Sequence, residues 1–142
     1  MVKEIPVEEF TAEKWTALAQ VAVLKCQPPF RFNPEHFFLS VQDMMRMGMA
    51  QAWSNEEETA FLVALFFPNM FSGDPVALNL FWVGAAGQAS LDLLRQFQTT
   101  ARERGCTAVY GSAFRNYRTE SMTRLFRRLG YAPHEAGFIK ML

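Results

Sequence analysis

The chain has 142 residues, half of them hydrophobic and 14% aromatic, with 14 basic and 14 acidic side chains. Such a composition excludes a disordered chain and fits a single domain, 1–142, built around one core. The charge balance removes any whole-protein attraction to nucleic acid or to a membrane surface and leaves only local patches.

In chain order, residues 2–5 read as a short strand. Pro6 to Lys25 reads as a helix, with Phe10, Trp15, Leu18, Val21 and Leu24 near helical spacing and Pro28-Pro29 as its stop. Asn33 is a good N-cap and Pro34 suits the first helical position. Phe37, Phe38, Val41, Met44 and Met45 follow at helical intervals, and Gly48 can end that helix. "MAQAWSN" and "ETAFLVALFFPNM" read as a hairpin turning at 55–57, and "VALNLFWV" (76–83) as a third strand. The last two are almost continuously apolar, which fits a sheet covered on both faces. Leu91, Leu94, Phe97 and Ala101 make one face of a helix that Gly105 ends, and "CTAVYGS" reads as a short buried strand. A further helix is expected from about Asn116 to Leu129, then strands at 131–133 and 136–141. The fold class is therefore α/β (α+β): a mixed sheet of six to seven strands with four helices, in the order β-α-α-β-β-β-α-β-α-β-β.

The opening "MVKEIPVEEF" is polar and acidic, unlike a signal peptide. "TAFLVALFF", the longest apolar run, is far shorter than the roughly 20 residues a membrane helix needs. Cys26 and Cys106 lie far apart, and His36 and His134 are the two histidines. Two reduced thiols, no metal site and a cytoplasmic protein are expected.

"WVGAAGQASLDLL" carries the chemistry. A buried strand runs into a turn of small residues that opens directly into a helix. The first N–H groups of a helix lack intrahelical partners and sit at the positive end of its dipole. With Gly84, Ala85, Ala86, Gly87 and Ala89 there, nothing bulky shields those donors from a phosphate, and Ser90 can add a hydroxyl. The plain alternative is a tight turn that lets helix and sheet pack closely; it has about even standing.

The order of elements resembles the GCN5-related N-acetyltransferase (GNAT) fold. In that family a Q/R-x-x-G-x-G/A turn after the fourth strand holds the pyrophosphate of acetyl-CoA. Here the match is Gly84-Ala85-Ala86-Gly87-Gln88-Ala89, with Gly84 in place of Gln or Arg. "LFRRLGYAPHEAGFIKML" is similar to the family's ending, a helix closed by L-G-F and strands finishing Y-x-K-x-L. The resemblance implies an acetyl-CoA-dependent enzyme with Trp82, Val83, Gly87, Gln88, Ala89, Ser90 and Phe126 along the cofactor. It also implies that strands 76–83 and 107–112 are parallel neighbours. They should pair near residues 78 and 108 and splay toward Val83 and Ser112.

The chain departs from the family's catalytic pattern. The tyrosine that protonates the leaving thiolate is replaced by Phe126, and "VALNLFWV" holds no acid; Asn79 is its one polar side chain. Tyr110, Ser112 and Tyr117 lie near the end of the fifth strand or the following helix start, within reach of the cofactor sulfur. Each also has an ordinary reading as core or turn. Arg115, Arg118, Arg124, Arg127 and Arg128 surround the last helix, where they complement its dipole or pair with the CoA 3′-phosphate. Nucleic acid ranks behind both. The segment 28–38 covers the acceptor site in the family; Phe30 and Phe32 there are lid or core.

Two functions stay open. One is an acetyl-CoA-dependent N-acetyltransferase acting on a small-molecule or protein amine in the cytoplasm. The other is a GNAT-fold protein without catalysis that binds protein partners, of the kind familiar in tailed bacteriophages, in the host cytoplasm or the virion.

Overall fold

The computed structural model describes residues 1–84, 87–111, 119–134 and 138–142. Strand β1 (Val2–Glu4) is followed by a 3-10 turn at Val7–Glu9 and helices α1 (Ala12–Cys26) and α2 (Pro34–Arg46). Strands β2 (Ala50–Asn55), β3 (Ala60–Pro68) and β4 (Pro75–Gly84) come next. Helix α3 (Gln88–Glu103), strand β5 (Ala108–Tyr110) and helix α4 (Thr119–Arg128) complete the order. The strands form one five-stranded sheet in the order β1-β2-β3-β4-β5. Its pairings are antiparallel except β4 with β5, which is parallel, as a crossover through α3 requires.

The continuous apolar runs have the cause inferred for them. Successive residues of β3 feed two cores on opposite faces. Phe61 and Val63 join Phe10, Trp15, Phe38 and Val41 beneath α1 and α2. Leu62 and Ala64 join Leu93, Leu94, Phe97 and Ala101 of α3 and Phe126 of α4. Every side chain from Ala60 to Ala64 is fully buried, so no polar alternation survives.

Several boundaries differ from the sequence expectation. The first helix starts at Ala12 rather than Pro6, because Thr11 caps it, its side chain accepting from the Lys14 N–H at 3.3 Å. Asn33 caps α2 through the His36 N–H at 3.1 Å, and Gly48, at φ +74°, follows its last turn as expected. Among the described residues the sheet has five strands rather than six or seven. Residues 131–134 and 138–142 are not strands, and 135–137 lie outside the described residues. Tyr131 is held back by α4: its N–H donates to the Phe126 carbonyl at 2.9 Å and its ring packs on Phe126. Pro133 then has no N–H to give a ladder. The last helix is described from Thr119, and its expected start at Asn116 lies outside the described residues.

Candidate functional site

Among the described residues β4 runs on past the last residue that β5 pairs with, and this fork is the place to look for a site; the splay expected at Ser112 falls on residues outside those described. The two strands pair at Val76 with Ala108, Ala77 with Val109 and Leu78 with Tyr110. The register is two residues off the expected one, since Leu78 faces Tyr110 and Ala108 faces Val76. Among the described residues the ladder stops there. On its other edge β4 stays paired with β3 as far as Gly84 opposite Ala60. From Asn79 to Gly84, β4 therefore has a ladder partner on one side only among the described residues.

A bulge sits at the mouth of this fork. Val63 faces Phe81 and Ala64 faces Asn79, so Leu80 is an extra residue on β4. A bulge bends its strand and increases the local twist. Here it falls two residues past Leu78, the last residue of β4 that pairs with β5.

The upper end of the fork meets the start of α3. Gly84 has φ +129°, and a β-carbon on it would collide with Ala60 and stand 2.8 Å from the Thr59 carbonyl oxygen. The position where the resemblance calls for Gln or Arg is thus closed to any side chain. Ala85 and Ala86 lie outside the described residues. Gly87 is the N-cap of α3 at φ +115°, with open space where a β-carbon would be. The helix has neither a side-chain cap nor an acidic residue in its first turn. The positive end of its dipole thus carries no acidic side chain of its own, a setting that favours an anion. Gln88 turns along the helix and donates to Asp92 at 2.7 Å, and Asp92 lies 3.6 Å from Arg95. Ala89 and Ser90 are half-buried behind it.

The other sequence candidates separate. Trp82 lies on the α3–α4 side, packed against that core, while the Val83 side chain is buried in the α1–α2 core. Phe126 is buried, in edge contact with Tyr131 at 5.0 Å between ring centres. Tyr110 stands at the base of the fork, but its hydroxyl accepts from Asn69 at 3.5 Å. Asn69 belongs to the β3–β4 loop, at the end of β4 opposite Gly87. Ser112 and Tyr117, with Arg115 and Arg118, lie outside the described residues. Arg124, Arg127 and Arg128 are exposed on α4. Phe32 belongs to the core, stacked on Phe81 at 6.4 Å, whereas Phe30 is exposed. Burial pushes the Cys106 and Cys26 thiols up from their ordinary value, which keeps both protonated at neutral pH. No metal-binding group of three or more His, Cys, Asp or Glu exists among the described residues, and no helix there is long and apolar enough to cross a membrane.

Sequence reading passed over two parts of this site. Asn79 is 4% exposed, and its Oδ1 has no hydrogen-bond partner; the Nε1 of Trp82 has none either. A lone polar residue in an otherwise apolar strand was the available signal. Gly111, just past β5, makes room for Phe126, and nothing in the local sequence marks that contact.

No protein-family model and no curated protein sequence matches the chain. Solved structures do. A predicted acetyltransferase from Clostridium acetobutylicum, solved with acetyl-CoA, superposes with a TM-score of 0.75 at 8% identity, over 99% of this chain and 95% of that one. A ribosomal-protein-alanine N-acetyltransferase from Brucella melitensis gives 0.72 at 12% identity, over 100% and 98%. An aminoglycoside acetyltransferase from an uncultured soil metagenomic sample gives 0.75 at 12%, over 100% and 95%. Near-complete coverage in both directions, with a mixed sheet whose β4 and β5 are parallel, identifies the architecture: this chain has the fold of the GNAT acetyltransferases.

Proposed function

We propose that the chain is an acetyl-CoA-dependent N-acetyltransferase acting on an amine in the cytoplasm. The observation that carries this reading is the fork. Among the described residues the ladder ends at Leu78 and Tyr110, while β4 leads on toward the start of α3, which has no side-chain cap. Free strand N–H and C=O groups suit an amide-bearing arm, and a helix N-terminus suits a pyrophosphate. The acetyltransferases of the same fold, one of them solved with acetyl-CoA, support it.

In the reaction the amine nitrogen attacks the thioester carbonyl. A C–N bond forms, the C–S bond breaks, the nitrogen loses a proton and the thiolate gains one. Gly87, Gln88, Ala89 and Ser90 would hold the pyrophosphate, and Arg124, Arg127 and Arg128 are the described cations nearest in role for a 3′-phosphate. Phe126 supplies no proton, and the Tyr110 hydroxyl is turned toward Asn69. Catalysis then rests on positioning, which by itself can supply much of the rate, with water as the proton carrier.

The second reading is a non-catalytic member of the fold that binds protein partners, for example as a phage virion component. Trp82 and Phe126 favour it, since both pack into the α3–α4 core beside the fork. Calorimetry with acetyl-CoA separates the two. Binding with release of CoA in the presence of an amine panel supports the enzyme. Absence of binding at millimolar acetyl-CoA overturns it.

A further inference from the structure

Asn79 and Trp82 hold two of the three buried side-chain polar atoms without a partner among the described residues. The third, Ser54 Oγ, is on β2 opposite Phe61, whose side chain belongs to the other face. Asn79 faces Ala64 across the β3–β4 ladder and Trp82 faces Leu62. Ala64 and Leu62 both lie in the α3–α4 core. Asn79 and Trp82 therefore share one face of β4, brought into phase by the extra residue Leu80. Both lie past Leu78, where no described residue of the β5 side is paired with β4. A buried polar atom left unpaired is destabilising by roughly 1–3 kcal/mol. Two in sequence on one face, one an acceptor and one a donor, form a complementary set rather than a pair of accidents.

The set matches a secondary amide. A trans amide points its C=O and N–H in opposite directions, so its partners must stand apart along the strand. The indole N–H can give only a donor and the carboxamide oxygen only an acceptor. We infer that Asn79 and Trp82 read an amide of the pantetheine arm, the indole donating to its carbonyl and Asn79 Oδ1 accepting from its N–H. This rests on the proposed acetyl-CoA site and assigns side-chain specificity within it.

The test compares CoA with adenosine 3′,5′-bisphosphate, which lacks the arm, on the full chain. The wild type should bind CoA more tightly than the bisphosphate. Trp82→Phe, which removes only the N–H, and Asn79→Leu should each weaken CoA about tenfold and leave the bisphosphate unchanged. Without ligand, Asn79→Leu should melt no lower than the wild type, since it removes an unpaired buried acceptor. Unchanged CoA affinity in both variants overturns the assignment and leaves the acetyltransferase reading standing. Equal losses for CoA and bisphosphate also overturn it, because they report general damage. A wild-type chain that binds no CoA overturns both.

Discussion

A β-carbon on Gly111 would stand 2.5 Å from Cε1 of Phe126. Helix α4 is thus seated with an aromatic ring against bare backbone just beyond β5. Gly111→Ala must displace either the ring or the strand end. Overpacking of this kind is destabilising by about 1–3 kcal/mol. Thermal melting should show that loss. Phe126→Leu in the same chain should recover part of it, so the two changes should be non-additive.

Phe126→Tyr tests what that ring is for. Phe126 sits in the α3–α4 core in contact with Tyr131. The added hydroxyl is expected to be buried without a partner, a loss of about 1–3 kcal/mol. The melting temperature should fall and CoA release should not rise. A rise in turnover would instead make position 126 the missing proton donor.

Gly84 and Gly87 should fail in different ways. Gly84→Ala drives a β-carbon into Ala60 and should lower the melting temperature sharply. Gly87→Val meets open space, so its penalty is backbone strain at φ +115°, of order 1–3 kcal/mol. The protein should stay folded while CoA binding is lost. Calorimetry and melting on the two variants separate the effects; CoA affinity surviving in Gly87→Val would remove the turn from the site.

Glu58 gives a pH signature. It bonds Lys3 at 2.7 Å and Lys14 at 3.2 Å, tying the β2–β3 turn to β1 and α1. These bonds, Lys3 first, hold its carboxyl below the usual value of 4.5. A lowered carboxylate contributes stability that is present above 4.5 and lost as pH falls through the folded-state value. Lys3 is raised above 10.5 by the same bond, so its share is lost only as pH rises through that range. Melting measured from pH 7 to pH 3 should fall less steeply in Glu58→Gln. The pair is exposed, so the effect is small and should shrink in high salt.

The sequence made the fold legible where apolar spacing and caps agree. Asn33-Pro34, Gly48 and the face Leu94, Phe97, Ala101 each place an element through local chemistry. The end of β4 was harder. Gly84 read as a missing Gln or Arg, yet its reason is Ala60 across the ladder, a contact no local pattern encodes. The β5 register was two residues off, because short parallel pairings are set by packing of the crossover helix. The tail "FIKML" has the composition of a strand, but a strand needs a partner, and Phe138 and Leu142 are exposed. Tyr110 read as a candidate on position alone, since the direction of its hydroxyl depends on Asn69, far away in the chain.

Leu80 is, in effect, a parity switch. Before it, odd-numbered residues of β4 face α3 and α4; after it, even-numbered ones do. Deleting that one residue would restore strict alternation with Phe81, Trp82 and Val83 all on their present faces. What would go is the bend, together with one side chain packed against the α1–α2 core. A change of side chain at position 80 leaves the extra residue in place, so the bend should survive substitution and be lost only when the chain is shortened by one.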